Sequence, residues 1–397
     1  MQREDVQNTA ELRSMHKKMI LYALRQYGEL TKKEIVDRTC LSFATVSGLT
    51  NQMQEEGLVR QGGKCASSGG RMPALLSIRP DAFFLLAVNF AVAGEVRMAL
   101  MSLAGQRMHE WMGSVLPEDD YAALLERVAG GMQALLERAR IGLEGVLGGT
   151  AAVPAINDRH TGRIINSTIP LYEGRPLAAD LRRALGMDVA IENEANLMAL
   201  ACFNKGLAEK QADGLIFLYV GEGLGIGMVS GRRLLTGAHG YGGEVGHMPL
   251  GHAGYPCYCG QTGCVETELS IRGFIRKYNG RKPAPAIADT LPLPEQWRAF
   301  AARVAAGDAT ALAVAKENGA LLGVLAATLV NLLDPQEVII GGYVEEIAGH
   351  LLPAVVGEME RRLVVKRGTG VPVRFAKGYN SLILAGCGEL GFAKWNP

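Results

Sequence analysis

The first eighty residues carry a series of helix start and stop signals that few folds can satisfy. Residues 12–27 repeat apolar side chains at helical spacing, and Gly28 follows as a stop signal. Thr31-Lys32-Lys33-Glu34 is a capping box, in which the threonine hydroxyl and the glutamate carboxylate each accept a backbone amide proton. Residues 42–55 predict a second short helix with Ser42 as its N-cap. Two short helices joined by a tight turn predict a helix-turn-helix.

A β-hairpin is predicted directly after these helices. Residues 58–61 and 71–78 can form two strands around a Gly/Ser-rich turn. Residues 1–80 therefore predict a winged helix-turn-helix DNA-binding domain; a generic three-helix-plus-hairpin interaction module is the alternative. This segment contains 12 Lys/Arg and 8 Asp/Glu, a charge of +4, whereas the other 317 residues contain 29 and 32, a charge of −3. Excess positive charge favours a polyanionic partner, although +4 is a weak signal.

The second short helix has an exposed face without arginine or lysine, so bidentate Arg–guanine contacts are not available there. Hydroxyl, amide and methyl groups remain to contact base edges. The candidate DNA-binding residues are Ser42, Phe43, Ala44, Thr45, Ser47, Gly48 and Asn51 on the helix, and Arg71 in the hairpin. We expect Arg71 to enter a minor groove and to favour A·T-rich flanking sequence.

The remaining chain predicts an α/β body. Apolar residues make up 48% of the sequence and charged residues 20%, which excludes a disordered chain, and 50 glycines without a Gly-X-Y period exclude collagen. The apolar run 321–333 is too short to span a bilayer and predicts a buried helix. The polar N-terminus has no apolar segment typical of a secretory signal, so we expect a cytoplasmic protein.

Three of the seven cysteines lie within eight residues and suggest a metal site. Cys257, Cys259 and Cys264 have the spacing Cys-x-Cys-x4-Cys, and a nearby histidine would complete four zinc ligands. By spacing alone His239, His247 and His252 are all candidates. Three buried free thiols are the alternative.

Several motifs resemble those of one family. They are the helix-turn-helix segment 41–59, Gly-Gly-Arg at 69–71, Glu-Asn-Glu-Ala-Asn at 192–196, Gly-Gly-Glu-Val-Gly-His at 242–247 and the cysteine segment 257–266. Together they resemble the ROK family, specifically its winged-helix repressors of N-acetylglucosamine, glucose and xylose genes. The resemblance implies that residues 81–397 adopt an actin-like (RNase H-like), two-lobed sugar-kinase fold. One lobe would contain residues 81–190 and a C-terminal helix at about 380–397, and the other about 191–379.

The same resemblance implies ligand sites. It selects His247 as the fourth ligand of a structural zinc ion, with Cys257, Cys259 and Cys264. It implies sugar contacts from Asn193, Glu194, Glu244, His247 and Glu266. Where this chain has Glu194, the family usually has an aspartate, which is the catalytic base in the kinases. The extra methylene displaces the carboxylate by about 1.5 Å, enough to disturb its positioning.

The resemblance also points to defects in nucleotide binding. Kinases of this fold hold phosphates with an Asp-x-Gly-Gly-Thr turn, and this chain has Asn-Phe-Ala-Val-Ala at 89–93. The second phosphate loop, 221–227, keeps its glycines but has Glu222 where a hydroxyl residue is usual, and a carboxylate repels a triphosphate. Together with Glu194, these differences argue against kinase activity.

The sequence therefore predicts a regulator that binds operator DNA and responds to a sugar or sugar phosphate. We expect a repressor of a carbohydrate-utilisation operon, without kinase activity or a membrane partner, that acts as a homodimer or homotetramer. One alternative is a sugar kinase with a DNA-binding head. The other is a regulator whose sugar pocket is vestigial and which responds to a protein partner.

Overall fold

An N-terminal head of helices and a small antiparallel sheet precedes a larger α/β body. The computed structural model describes residues 4–64, 73–92, 94–116, 118–158, 160–207, 214–231, 233–284, 286–365 and 370–397. The head contains α1 (Glu4–Tyr27), β1 (Leu30–Thr31), α2 (Lys32–Thr39), α3 (Phe43–Glu55), β2 (Val59–Lys64) and β3 (Ala74–Ile78). The sheet order is β1-β3-β2, with both pairs antiparallel. The predicted helices and hairpin are thus present, although α1 begins eight residues earlier than its apolar repeat indicates.

The body begins with a five-stranded sheet. Its elements are β4 (Phe84–Asn89), β5 (Glu95–Ser102), β6 (Arg107–Ser114), α4 (Tyr121–Ala139), β7 (Val146–Val153), β8 (Ala155–Asn157), β9 (Ile164–Ser167), α5 (Leu177–Leu185) and β10 (Val189–Asn193). The strand order is β10-β7-β4-β5-β6, and β8 and β9 form a separate hairpin. β4, β5 and β6 are antiparallel neighbours, whereas β7 and β10 add parallel to β4.

A second five-stranded sheet repeats this plan. The elements are α6 (Glu194–Leu207), β11 (Gly214–Val220), β12 (Leu224–Ser230), β13 (Arg233–Leu234), α7 (Glu266–Leu269), α8 (Ile271–Asn279), α9 (Leu293–Ala305), α10 (Ala309–Leu333), β14 (Glu337–Gly342), α11 (Ala348–Arg362), β15 (Val373–Phe375) and α12 (Tyr379–Lys394). Its order is β13-β12-β11-β14-β15. The first three strands are antiparallel neighbours and β14 and β15 add in parallel, which is the pattern of the first sheet read from its other edge. This duplication is the architecture expected of the two-lobed fold.

Two helices fill the space between the sheets. α12 packs on β4 and β7 of the first sheet and on α6, while α6 packs on β11 and β12 of the second. Their crossing is close, because a Cβ atom at Gly386 would lie 2.0 Å from the Leu197 carbonyl oxygen. Only glycine allows this approach. The C-terminal helix therefore returns to the first sheet, and the helix that begins at Glu194 contacts both halves of the body.

The head packs directly on the body through α1 and α12. The rings of Tyr22 and Phe392 meet edge to face with centroids 4.9 Å apart. Arg25 Nη2 lies 2.6 Å from Glu389 Oε1, and its Nη1 donates to the Leu103 carbonyl at 2.7 Å. The other Glu389 oxygen accepts from Asn204 Nδ2 of α6 at 2.6 Å. One carboxylate thus connects the head to the helix that separates the two sheets.

Within the described ranges, α10 alone is long and apolar enough to cross a membrane, and 67% of its most apolar stretch is buried inside the fold. The predicted run 321–333 forms its second half and contributes buried leucines to the core of the second sheet. A core helix of a folded domain has these properties.

Candidate functional site

The predicted DNA-contacting helix is built by local capping. Thr31 and Glu34 form the expected capping box at the start of α2. Ser42 Oγ accepts the Thr45 amide at 3.1 Å and begins α3. Val46, Leu49 and Met53 of α3 are buried against the head. Since this stripe fixes the rotation of α3, the opposite face points to solvent.

That outer face contains the predicted residues. Ser42, Phe43, Ala44, Gly48 and Asn51 are exposed and Thr45 and Ser47 are half-exposed. Arg71 lies outside the described residues, so its place in the hairpin stays a prediction.

A lysine from the preceding helix supplies the positive charge that α3 lacks. Lys32 Nζ of α2 lies 3.0 Å from both Ser47 Oγ and Asn51 Oδ1 on the outer face of α3. Lys32 is not among the predicted residues. It lies 15 positions before Ser47 and 19 before Asn51 in sequence, and only the angle between α2 and α3 brings these side chains together.

A second candidate site is an open cleft in the body. All five residues predicted to contact sugar line it: Asn193, Glu194, Glu244, His247 and Glu266. Asn193 ends β10 and its Oδ1 accepts the Ala195 amide at 2.8 Å, which orients the first turn of α6. Glu266 Oε2 accepts the Leu224 amide at 2.9 Å, which holds this carboxylate at the cleft.

The cleft is strongly acidic. Five carboxylates line it, those of Glu192, Glu194, Glu222, Glu244 and Glu266, and no lysine or arginine is among its described lining residues. Burial raises the pKa of Glu194 to about 8, and the Glu244 and Glu266 carboxylates add to this rise. Burial also raises the pKa of Glu266 to about 7. The cleft therefore offers many carboxyl oxygens to a ligand, and its described lining has no cationic side chain to balance their negative charge.

Several lining residues were not predicted. Asn157, Asn166, Ser167 and Thr168 come from the β8–β9 hairpin and its end, and Tyr219 comes from β11. Nothing in the sequence pattern indicated that the β8–β9 hairpin would line the same cleft as Glu194. Long-range packing decides this position.

Buried side chains occupy the turn after β4. Asn89, which is 1% exposed, accepts the Ala91 amide at 2.8 Å and donates to Asn380 Oδ1 at 3.1 Å. Ala91 and Val92 are both buried. In place of an acidic, glycine-rich phosphate turn, the chain has an amide satisfied within the fold and two apolar side chains.

The predicted metal ligands come together beside the cleft. One donor atom from each of His247, Cys257, Cys259 and Cys264 lies within 4.8 Å of all the others. His247 Nδ1 is 3.5 Å from Cys257 Sγ, and the sulfurs of Cys259 and Cys264 are 3.6 Å apart. Zn–S bonds of about 2.3 Å and Zn–N bonds of about 2.0–2.1 Å place neighbouring donors of a tetrahedron about 3.5–3.8 Å apart. The four residues therefore fit zinc, and the spacing-based alternatives His239 and His252 are not in the cluster.

The loop that carries the sulfurs is tightly turned. Gly260 and Gly263 have φ of +88° and +78°, and the Cys257 amide donates to the Gln261 carbonyl at 2.8 Å. His247 presents its other nitrogen, Nε2, to the Tyr258 hydroxyl at 3.3 Å. Because Tyr258 and His247 both line the cleft, one imidazole can bind the metal with Nδ1 and contribute to the sugar pocket with its other edge.

Comparison with known proteins agrees with this architecture. Residues 95–387 match the family described as the ROK family. The chain is 26% identical over 385 residues to a xylose repressor from Caldicellulosiruptor bescii, with 96% of each chain covered. It is 27% identical over 305 residues to a glucokinase from Halalkalibacterium halodurans, which covers 74% of this chain and 91% of the glucokinase. A crystal structure of a ROK family transcriptional regulator, a homologue of the Escherichia coli MLC protein, superposes with a TM-score of 0.78 at 22% identity, covering 96% and 97% of the two chains.

Proposed function

Since the chain belongs to the ROK family, we propose that it is a sugar-responsive transcriptional repressor of a carbohydrate-utilisation operon, located in the cytoplasm and without kinase activity. The observation that carries this proposal is the combination of a helix-turn-helix head with the acidic cleft in one packed chain. The similarity to a xylose repressor over 96% of both chains, head included, supports the same function.

The head binds operator DNA through the outer face of α3. Ser42, Phe43, Ala44, Thr45, Ser47, Gly48 and Asn51 contact base edges and backbone in the major groove, and Arg71 reaches the minor groove. Lys32 binds a phosphate beside them, because its ammonium group lies on the same face. A two-fold-related operator requires two heads, so the working species is a homodimer or a homotetramer.

The cleft binds the effector. Asn193, Glu194, Glu244, His247 and Glu266 contact the sugar, whose hydroxyls need partners once they are buried. α6 starts at the cleft with Glu194 and ends near Asn204, whose amide bonds the Glu389 carboxylate that Arg25 of the head also binds. A ligand that shifts α6 changes the position of the head, and for derepression the sugar must favour the form that binds DNA poorly.

His247, Cys257, Cys259 and Cys264 hold a structural zinc ion. With four protein ligands the ion has no open position for water, so it supplies a cross-link and no Lewis-acid chemistry. The cross-link fixes the wall of the cleft, because Glu244 and Glu266 flank the ligands in sequence.

Two other functions are tested by the same experiments. A sugar kinase with a DNA-binding head is favoured by the similarity to a glucokinase, and it predicts ATP consumption with a hexose. The buried Asn89, Ala91 and Val92 argue against it, because they occupy the turn that must hold phosphates. A vestigial pocket predicts that no sugar binds and that a protein partner controls the head.

The proposal is tested with the full-length, zinc-loaded protein and DNA fragments selected in vitro for binding. We expect fluorescence anisotropy to show specific binding that one sugar of a panel weakens by about 5- to 150-fold, the usual range of allosteric coupling. Unchanged DNA affinity with every sugar would refute effector control, and steady ATP turnover with a hexose would establish the kinase.

A further inference from the structure

Two buried carboxylate oxygens in the cleft have no hydrogen-bond partner among the residues that the structure describes. Four buried side-chain polar atoms lack a partner in the described parts of the chain, and two of them are Glu194 Oε2 and Glu222 Oε1. Both residues line the same cleft. A buried acceptor without a donor costs free energy, so a pair of them facing one cavity indicates that a ligand brings the donors.

Glu222 reaches the cleft from the turn between β11 and β12. Its side chain is 13% exposed, and its second oxygen, Oε2, lies 3.3 Å from Arg272 Nη2. Burial raises the pKa of Glu222, and the Arg272 guanidinium opposes that rise. Glu222 also lines the neighbouring depression that contains Arg272 and Arg276, so it belongs both to the acidic cleft and to a depression with two arginines.

Those two arginines are already engaged. Arg276 donates to the Thr267 carbonyl and its guanidinium lies 3.8 Å from the centre of the Tyr255 ring. Arg272 is paired with Glu222 itself. A phosphate bound at this edge of the cleft by Arg272 would lie beside the Glu222 carboxylate, which repels it.

Hydroxyl and phosphoryl groups differ in what they offer such a site. A sugar hydroxyl donates one hydrogen bond and suits an unpartnered carboxylate oxygen, whereas a phosphate dianion brings only acceptor oxygens and negative charge. We propose that Glu222 makes the cleft selective for an unphosphorylated sugar by rejecting sugar phosphates, while Glu194 contributes a hydrogen-bonding group to the sugar. This inference rests on the proposed function, and it decides between the two effector classes that the sequence left open.

The test is calorimetric titration of the full-length, zinc-loaded protein with matched pairs of ligands. The probes are glucose, N-acetylglucosamine and glucosamine, each with its 6-phosphate, and xylose with its 5-phosphate. We expect at least one free sugar to bind about tenfold or more tightly than its phosphate, a difference of about 1.4 kcal/mol, because the partly buried Glu222 carboxylate repels the phosphate. Glucosamine shows whether a cationic amine binds better than a neutral hydroxyl.

Glu222→Gln removes the charge and keeps the size of the side chain. We expect this variant to reduce the preference for the free sugar by about tenfold, mainly through tighter binding of the phosphate. Glu173→Gln is the matched control, because Glu173 is exposed and lines only the neighbouring depression; it should leave the preference within about twofold.

Three results would overturn the inference: preferential binding of a sugar phosphate by the unmodified protein, an unchanged preference in Glu222→Gln, or no binding of any ligand. DNA binding is measured on the same samples without ligand. Retained DNA binding with a preference for phosphates would contradict the selectivity alone, whereas loss of specific DNA binding would contradict the proposed function.

Discussion

At the residue scale, Glu194 lies in the cleft, and burial of its carboxyl group lowers the stability of the folded protein above acidic pH. The unfolded pKa of a glutamate is about 4.3, and burial raises that of Glu194 to about 8 in the fold. Between these values the folded chain binds more protons than the unfolded chain, so the free energy of unfolding falls as pH rises through this window. The protein tolerates this cost at a position where a ligand can supply a donor.

Replacing Glu194 by glutamine removes this pH dependence. We expect Glu194→Gln to unfold at the same urea concentration as the parent near pH 4.5 and at a higher one at pH 8, with a gap that grows by up to about 1.4 kcal/mol per pH unit. Sugar binding weakens in the same variant. Urea unfolding at pH 5, 6, 7 and 8 measures the gap, with the exposed Glu173→Gln as control. A gap that is constant across this range contradicts the account.

Gly48 is a second residue whose local cost needs an outside explanation. It lies inside α3, where glycine costs about 0.5–1 kcal/mol relative to alanine, and a Cβ atom there would meet no atom within 4 Å. Nothing within the described fold requires a glycine at this position. We infer that close approach of DNA to the outer face of α3 is what favours glycine there.

Gly48→Ala should therefore stabilise the protein by about 0.5–1 kcal/mol and weaken DNA binding. Gly130→Ala in α4 is the matched control, because its Cβ atom would also meet open space and it lies in the body. Thermal unfolding should rise in both variants, and anisotropy should report weaker DNA binding only for Gly48→Ala. Equal DNA affinity in the two variants would mean that α3 does not approach DNA through this face.

At the element scale, the clearest signals came from helix caps, and the weakest came from polar segments. The capping box at Thr31 and the N-cap at Ser42 predicted α2 and α3 to within two residues. β6 was missed because it is an edge strand whose residues alternate between exposed and half-buried. The first turns of α1 were missed because they contain no apolar repeat.

The cysteine loop carries three of the four proposed zinc ligands. We expect Cys259→Ser to lose the bound zinc. Loss of a residue that only supports a metal ligand lowers metal affinity about 10- to 100-fold, and loss of a ligand should lower it further. Sugar binding should weaken too, because His247 belongs to both sites. Metal content by mass spectrometry and calorimetry with the sugar measure the two effects. Cys40→Ser in the head is the control; full zinc content in Cys259→Ser would contradict the four-ligand site.

At the scale of the whole molecule, the family motifs predicted two lobes. The five residues predicted to contact sugar come from three separate motifs, and all of them line one cleft. The docking of the head could not be predicted, because it depends on Arg25, Leu103 and Glu389, which lie far apart in sequence and in no motif. The same is true of Asn157 and Asn166 in the cleft. Motifs record local chemistry, whereas these contacts arise only when the sheets and helices pack.

The contact between head and body gives a prediction about coupling. Glu389→Gln keeps the size of the side chain but weakens its bonds to Arg25 and Asn204, so we expect DNA binding to persist while the effect of the sugar falls to about twofold or less. Glu337→Gln, which breaks the Arg374–Glu337 pair at the second sheet, is the control and should keep the full effect. A full sugar effect in Glu389→Gln would place the coupling elsewhere.

The central claim is that a sugar in the cleft controls a DNA-binding head without phosphoryl transfer. Its most direct test is the anisotropy of a bound DNA fragment during titration with free sugars, with and without ATP, while ADP formation is followed in the same samples. We predict that one unphosphorylated sugar releases the DNA at a concentration that ATP does not alter and that no ADP accumulates. DNA binding indifferent to every sugar, together with steady ADP formation, would contradict the claim.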